Sequence, residues 1–156
     1  MPRLRCPLGG HSRTVAQPSA YAPRVNELEA FEQAVAELGP RFAVFVGSAL
    51  SPDGRYGVAL TLLPTANDYL MDDLLERTAD GWELSSGGNG GGLQWTSLKT
   101  DGTGVLRFSG EAPANASFAH IAYEGQSHVV PIRNGHFFFV AWDTLFTEDP
   151  QILDFK

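Results

Sequence analysis

Three histidines recur at intervals of eight residues, at His120, His128 and His136, and this spacing raises the question of a metal site. A zinc site needs three or four nitrogen, sulfur or oxygen ligands that converge on one point. A two-residue turn at Glu124-Gly125 sets a register in which His120 and His128 project from opposite faces of a hairpin. A three-residue turn would bring them onto one face, so the prediction depends on the turn type. We favour the two-residue turn and expect structural histidines, with no metal and no cofactor.

The glycine-rich segment 87–92 invites comparison with loops that bind phosphate groups. It lacks the Gly-Lys-Ser/Thr ending of a P-loop, and Leu93 stands where a dinucleotide-binding motif has its last glycine. The residues that follow alternate apolar and polar, as in a strand, so no helix N-terminus is aimed at an anion. We interpret the segment as a mobile hairpin connection. The alternative is an adaptable binding loop that contains Asn89 and is flanked by Trp82 and Trp95.

Two pairs of adjacent carboxylates, Asp72-Asp73 and Glu148-Asp149, are candidates for acid–base chemistry. Neighbouring residues of a strand point to opposite faces, so neither pair forms the convergent dyad that glycoside hydrolysis requires. We expect both pairs to be solvated surface residues. Cys6 has no adjacent base to activate its thiol, and no Gly-x-Ser-x-Gly motif is present. The sequence therefore predicts no catalytic residue and favours a protein that is not an enzyme.

Length and composition indicate one globular domain. A chain of 156 residues buries enough surface to fold without a disulfide or a metal. The single cysteine excludes an intramolecular disulfide and indicates a reducing compartment. No apolar run approaches the length of a membrane span, and the basic N-terminus has no apolar core behind it, unlike a secretory signal. We therefore expect a cytoplasmic protein with no membrane contact.

The formal net charge of −7 is distributed unevenly. Residues 1–24 contain four arginines and no acidic residue, whereas residues 25–156 contain the other seven basic and all eighteen acidic residues, a net charge of −11. An acidic body repels phosphate groups, so we expect no nucleic-acid binding by the domain itself. The arginines are too dispersed for a strong polyanion site. We expect the N-terminal segment to lie as a tail against its own acidic domain.

The segment 117–142 is the strongest structural signal, because it spells out two consecutive β-hairpins around Glu124-Gly125 and Asn134-Gly135. The two-residue turns place apolar side chains on both faces of the ribbon, whereas a strand with one wet face should alternate apolar and polar. The second face must therefore be covered by the N-terminal helix, the N-terminal segment or another copy of the chain. One face collects Ile121, Tyr123, Val130, Ile132, Phe137 and Phe139, and the opposite face collects Phe118, Val129, Phe138, Val140 and Trp142.

The remaining elements indicate a mainly β protein with one N-terminal amphipathic helix. Leu28, Phe31, Val35 and Leu38 form one apolar stripe and predict a helix over 26–38. Residues 67–81 can be a helix, which local propensity favours, or a strand, which the neighbouring hairpins favour; we prefer the strand. We expect a tail over 1–23 and, over 24–156, a single antiparallel β-sandwich of two sheets. Further strands are predicted at 41–49, 55–63, 82–85, 93–98, 105–109 and 151–155.

One resemblance supports this fold. The motifs Gly-Glu-Ala-Pro at 110–113, Tyr-Glu-Gly at 123–125 and Pro-Ile-Arg-Asn-Gly-His-Phe at 131–137 resemble a pattern in small, uncharacterised β-sandwich proteins of actinobacterial type. The Gly81-Trp82 pair and the glycine-rich segment before Trp95 are similar too. The resemblance covers roughly the last 80 residues and implies an immunoglobulin-like sandwich without the usual cysteine pair. It implies no catalytic residue.

These observations predict a non-catalytic binding or protein-interaction module, with self-association as a homodimer among the options. The residues expected to contact a partner or ligand are Trp82, Asn89, Trp95, Phe138 and Trp142. The alternative is a small-ligand-binding protein or an enzyme with a pocket between the sheet and the N-terminal helix. A third hypothesis is a regulator that the basic N-terminal segment tethers to nucleic acid.

Overall fold

The computed structural model describes residues 25–63 and 69–156, so the predicted N-terminal tail and Cys6 lie outside the described residues. Within them the chain is mainly β, with one N-terminal helix, as the sequence predicts. The elements are α1 (Val25–Ala36), a short 3₁₀ helix (Pro40–Phe42), β1 (Phe45–Leu50), β2 (Tyr56–Leu63), β3 (Tyr69–Thr78), β4 (Gly81–Asn89), β5 (Leu93–Ser97), β6 (Gly104–Glu111), β7 (Phe118–Tyr123), β8 (Gln126–Arg133), β9 (His136–Thr144) and β10 (Gln151–Phe155).

The strands form two antiparallel sheets. Sheet 1 contains four consecutive strands in the order β1-β2-β3-β4, and sheet 2 contains six in the order β10-β7-β8-β9-β6-β5. Sheet 2 curls into a half-barrel. An immunoglobulin domain passes its chain back and forth between its sheets, whereas the first four strands here form a simple meander. The two-sheet architecture is confirmed, and the immunoglobulin-like topology is not confirmed.

The ambiguous segment is a strand, β3, and its burial pattern explains why. Leu70 and Leu74 face sheet 2, whereas Leu75 faces α1, so successive residues alternate between two buried layers. A strand can bury both of its faces in this way, but a helix with a single apolar stripe cannot. Tertiary packing therefore outweighs the helical propensity of these residues.

Several boundaries differ from the sequence prediction. Residues 41–44 lie outside β1, because Pro40 begins a 3₁₀ helix that ends at Phe42. Helix α1 ends at Ala36, and Leu38, expected on its apolar stripe, is 46% exposed. Strand β4 extends to Asn89, so part of the glycine-rich segment belongs to a strand. The remaining residues of the segment, 90–92, link sheet 1 to sheet 2. They are not the predicted hairpin connection, since β4 and β5 do not pair.

The side chains pack into three layers of core. Phe31 and Val35 of α1 meet one face of sheet 1, where Gly57 makes room for Phe31: a Cβ at this glycine would lie 2.5 Å from the ring. The second core lies between the sheets, and the third fills the curl of sheet 2. The residues of the second core include Val46, Val58, Leu60, Leu74 and Phe138, and those of the third include Leu106, Ile121, Tyr123, Phe137 and Phe139.

The two apolar faces predicted for 117–142 have different surroundings. The first face lies in the core of sheet 2, as predicted. On the second face, Phe138, Val140 and Trp142 pack against sheet 1, but Phe118 and Val129 are 45% and 59% exposed. Helix α1 does not cover this face, because it packs on the other side of sheet 1. Among the described residues nothing covers this part of β7 and β8, since sheet 2 curls away from sheet 1 there; cover by the N-terminal segment or by another copy of the chain stays a prediction.

Candidate functional site

The hairpin of β8 and β9 opens soon after its turn. The two strands pair only at Ile132–Phe137 and Arg133–His136. Beyond those pairs β8 continues its ladder with β7 as far as Gln126, and β9 continues its ladder with β6. The strands therefore diverge, and a gap opens inside sheet 2.

Pro131 explains where the ladder stops. In a two-residue hairpin, Arg133 and His136 form the first hydrogen-bonded pair, so the next such pair would join positions 131 and 138. Proline has no N–H group to donate to the Phe138 carbonyl. The neighbouring Ile132 N–H points the other way, toward β7, where it donates to the carbonyl of Ser117 at 2.9 Å.

The divergence leaves two strand edges facing each other. Because hydrogen bonding alternates along an antiparallel strand, Ser127 and Val129 direct their backbone N–H and C=O groups away from β7 and into the gap. By the same alternation, Phe138 and Val140 direct theirs away from β6. Within the described part of the chain, neither edge has a ladder partner on this side. Unpaired strand edges are templates for the addition of another strand.

Two adjoining cavities occupy this gap, and together they are called the cleft below. The larger, about 480 Å³, opens between β1 of sheet 1 and the two diverging strands. The smaller, about 190 Å³, continues toward the far ends of β8 and β9 and shares His128, Phe139 and Val140 with the larger. The other residues of the larger cavity include Ser48, Ser127, Val129 and Phe138, and those of the smaller include Tyr123, Glu124, Gln126, Trp142 and Thr144.

A chain of hydrogen bonds ends at the smaller cavity. The Thr144 hydroxyl donates to Glu124 Oε1 at 2.7 Å, so the Tyr123 hydroxyl, 2.8 Å from Thr144 Oγ1, must be the donor in its own bond to Thr144. Burial raises the pKa of Tyr123 although its hydrogen bond to Thr144 acts in the opposite direction, so the phenol keeps its proton at neutral pH. The backbone N–H of Glu124 donates to Glu148 Oε1 at 2.6 Å. The carboxylate of Glu148 therefore lies against the backbone of Glu124, next to this end of the cleft.

The histidines lie where the predicted register places them. His120 pairs with Val129 and His128 pairs with Ile121, so their imidazoles project from opposite faces. His128 lies in the cleft, with its ring centroid 5.0 Å from that of Phe139. Among residues 25–63 and 69–156, no three His, Cys, Asp or Glu side chains are grouped as metal ligands.

The five residues predicted to contact a partner do not form one site. Phe138 and Trp142 come together in the cleft, where they line the larger and the smaller cavity respectively. Trp82 lies on the far side of sheet 1, packed edge-on against Phe31 at 4.7 Å. Trp95 lies on β5 and packs against the core of sheet 2. The side chain of Asn89 lies outside the described residues, and the contact role of all five stays a prediction.

The adjacent aspartates on β3 are not surface residues, and this expectation was wrong. Asp72 is 1% exposed and bonds to Arg107 between the sheets, at 3.0 Å and 3.3 Å, whereas Asp73 is fully buried and faces Arg41. Burial raises the pKa of both carboxyl groups even though each has an arginine beside it. The signal that the sequence analysis missed was the position of the pair inside an apolar strand, together with an arginine, Arg107, in another. The second pair, at 148–149, is exposed as predicted.

A third cavity lies at the glycine-rich connection. It has a volume of about 460 Å³ and is lined by Tyr69, Leu70, Ser109, Glu111, His136 and nearby glycines. The Gly92 N–H donates to Ser109 Oγ at 3.0 Å, and a Cβ on Gly91 would lie 2.7 Å from that oxygen. Gly91 also has a φ of +66°, so both its conformation and its close contact require glycine.

Comparison with known proteins finds no matching family model, curated protein or solved structure. The resemblance to small actinobacterial β-sandwich proteins therefore stays a prediction. Neither of the helices in the described residues has the length and apolar character needed to cross a membrane.

Proposed function

We propose that this protein is a non-catalytic interaction module that binds an extended segment of a partner protein in the cleft, by strand addition. The observation that supports the proposal is the pair of open strand edges on β8 and β9. A segment placed between them would satisfy backbone donors and acceptors on both of its sides.

The chemistry of the cleft favours a polypeptide over a small ligand. Its two edges present alternating N–H and C=O groups, and an extended backbone offers the complementary groups at the same spacing of about 3.3 Å per residue. The open edge of β8 runs from Ser127 to Pro131, which corresponds to about 16 Å of extended chain. Main-chain hydrogen bonds would supply affinity, and side chains entering the two cavities would supply specificity.

Amide hydrogen exchange on the full-length protein tests this proposal. The probe is a seven-residue peptide of alternating threonine and valine, which favour extended conformations. We expect it to protect the inward-facing amides of Ser127, Val129, Phe138 and Val140. The same peptide with every residue N-methylated cannot donate to either strand edge and should give no protection. Protection at other strands, or equal protection by the N-methylated peptide, would refute strand addition.

Self-association is the second candidate, and the exposed outer face of β7 and β8 favours it. Phe118 lies directly opposite Pro131 on this face, and the neighbouring Val129 is 59% exposed. Apolar side chains grouped in this way are typical of protein contacts. Sedimentation velocity of Val129→Lys tests it, with Leu84→Lys, at a 48% exposed position on β4, as the matched control. A dimer that both variants retain would place the contact elsewhere.

The alternative with a pocket between the sheet and the N-terminal helix has less support. Phe31, Val35, Phe42 and Leu75 are buried and packed together at that interface. The cytoplasmic location and the immunoglobulin-like relationship stay predictions. The hypothesis of tethering to nucleic acid rests on residues 1–24, outside the described part of the chain.

A further inference from the structure

Glu124 lies at the smaller cavity with its carboxylate already oriented. Its backbone has the left-handed conformation of the turn, with a φ of 49°, and its Oε1 accepts the hydrogen bond from Thr144. Thr144 is held in turn by Tyr123, and both of these side chains are at least 95% buried, at 5% and 4% exposure. The carboxylate is therefore preorganised, which reduces the entropy lost when a ligand binds.

The same cavity has aromatic walls. Trp142 is half-buried and Phe139 is buried, and both line the cavity beside Glu124. The negative face of an aromatic ring attracts cations, and the planar guanidinium group of arginine also stacks on it. The combination of a fixed carboxylate with an aromatic wall is suited to a basic group.

The charges in the described residues leave this position without a cation. Five ion pairs of arginine or lysine and one contact of His120 with Asp154 join side chains there, and neither Glu124 nor Glu148 takes part in any of them. Residues 25–156 also carry a net charge of −11, from seven basic and eighteen acidic residues. Both the local and the overall field therefore attract a positively charged segment.

We infer that the smaller cavity binds one basic side chain, arginine in preference to lysine, carried by the extended segment that occupies the cleft. The inference rests on the proposed strand addition, because alternate side chains of an added strand would point toward the cavity. Arginine can form two parallel hydrogen bonds to a carboxylate while it stacks on an indole, whereas lysine acts as a point charge. The cavity volume of about 190 Å³ suits the end of one side chain.

Calorimetric titration of the full-length protein tests the inference. The probes are four peptides of the sequence Thr-Val-Thr-X-Thr-Val-Thr, in which X is arginine, lysine, glutamine or glutamate. We expect the arginine peptide to bind about tenfold more tightly than the glutamine peptide, with lysine between them and glutamate weakest. In Glu124→Gln this preference should fall to about twofold or less, because the charged acceptor is lost. Trp142→Leu should reduce it as well.

The control variant is Glu83→Gln, which removes an equally charged and exposed carboxylate from β4 and should leave the preference unchanged. Equal binding of the arginine and glutamine peptides in the cleft would refute this inference and leave strand addition standing. Failure of all four peptides to bind would refute strand addition itself. If Arg3→Gln/Arg5→Gln binds the arginine peptide about tenfold more tightly than the wild type, the chain's own N-terminal segment competes for the cavity, and the assignment to a partner is overturned.

Discussion

The buried ion pair between Asp72 and Arg107 gives the sharpest prediction about stability. Arg107 Nε donates to both oxygens of Asp72, and its Nη1 donates to Thr96 at 3.0 Å. The side chains of the pair are 0% and 5% exposed. The substitution Arg107→Met keeps most of the side-chain volume but leaves a carboxylate without its partner between two sheets. We expect it to lower the free energy of unfolding by about 3–5 kcal/mol.

The double variant Asp72→Leu/Arg107→Met should recover most of this loss. The surrounding residues include Leu70, Leu74 and Val105, so two apolar side chains at these positions would meet apolar neighbours. Replacement of a buried ion pair by packed apolar groups is often neutral or stabilising. We therefore expect a coupling energy of at least about 3 kcal/mol in a double-mutant cycle measured by urea unfolding. A cycle in which the two single losses simply add would refute the reasoning.

The exposed pair Arg55–Glu76 provides the matched control. Arg55 immediately precedes β2 and Glu76 lies on β3 of the same sheet, but their side chains are 62% and 36% exposed. Solvent screens such a pair, so Arg55→Met should cost far less than Arg107→Met. A loss from Arg55→Met as large as that from Arg107→Met would show that burial does not set the difference.

The dependence on pH provides a second test of Arg107→Met. Burial raises the pKa of Asp72, opposed by the attraction and the hydrogen bond of Arg107. A carboxyl group whose folded pKa is raised contributes stability that is present below its unfolded pKa and is lost as the pH rises through the folded value. Arg107→Met removes the opposing attraction. We therefore expect its loss of unfolding free energy relative to the wild type to be larger at about pH 8 than at about pH 4. A deficit independent of pH would contradict this account.

Three further predictions concern single positions. Burial of Glu32 raises its pKa, but hydrogen bonds from Arg133 and Ser48 outweigh this effect and lower the pKa overall. The contribution of Glu32 to stability is therefore lost as the pH falls. Between about pH 6 and pH 3 the free energy of unfolding of the wild type, measured in urea, should fall by about 1 kcal/mol more than that of Glu32→Gln. Gly57→Ala places a Cβ 2.5 Å from Phe31 and should cost about 1–3 kcal/mol in the same assay, whereas no loss would show that the ring moves freely. Pro131→Val restores a backbone donor, so the β8–β9 ladder should extend. We expect slower amide exchange at the mouth of the cleft and weaker binding of the peptide. Unchanged binding would mean that the proline does not hold the cleft open.

The local chemistry of the sequence was sufficient to predict most of the strands and the register at the two consecutive turns of the segment 117–142. Asn134-Gly135 and Glu124-Gly125 adopt the positive φ that two-residue turns need, at 52° and 77° and at 49° and 74°. The turns then determine which residues lie opposite each other, since side chains alternate with a period of two. The inner apolar face of 117–142 follows directly, and the structure confirms it.

Long-range packing decided the features that make a candidate site. The sequence places position 131 opposite position 138, but only the curl of sheet 2 shows that β8 and β9 diverge beyond it. Likewise, Asp72 and Arg107 are 35 residues apart, and although each lies inside an apolar strand, only the packing of the two sheets shows that they meet. Turn geometry acts over a few residues and can be read from composition, whereas the pairing of distant faces depends on how every other layer packs.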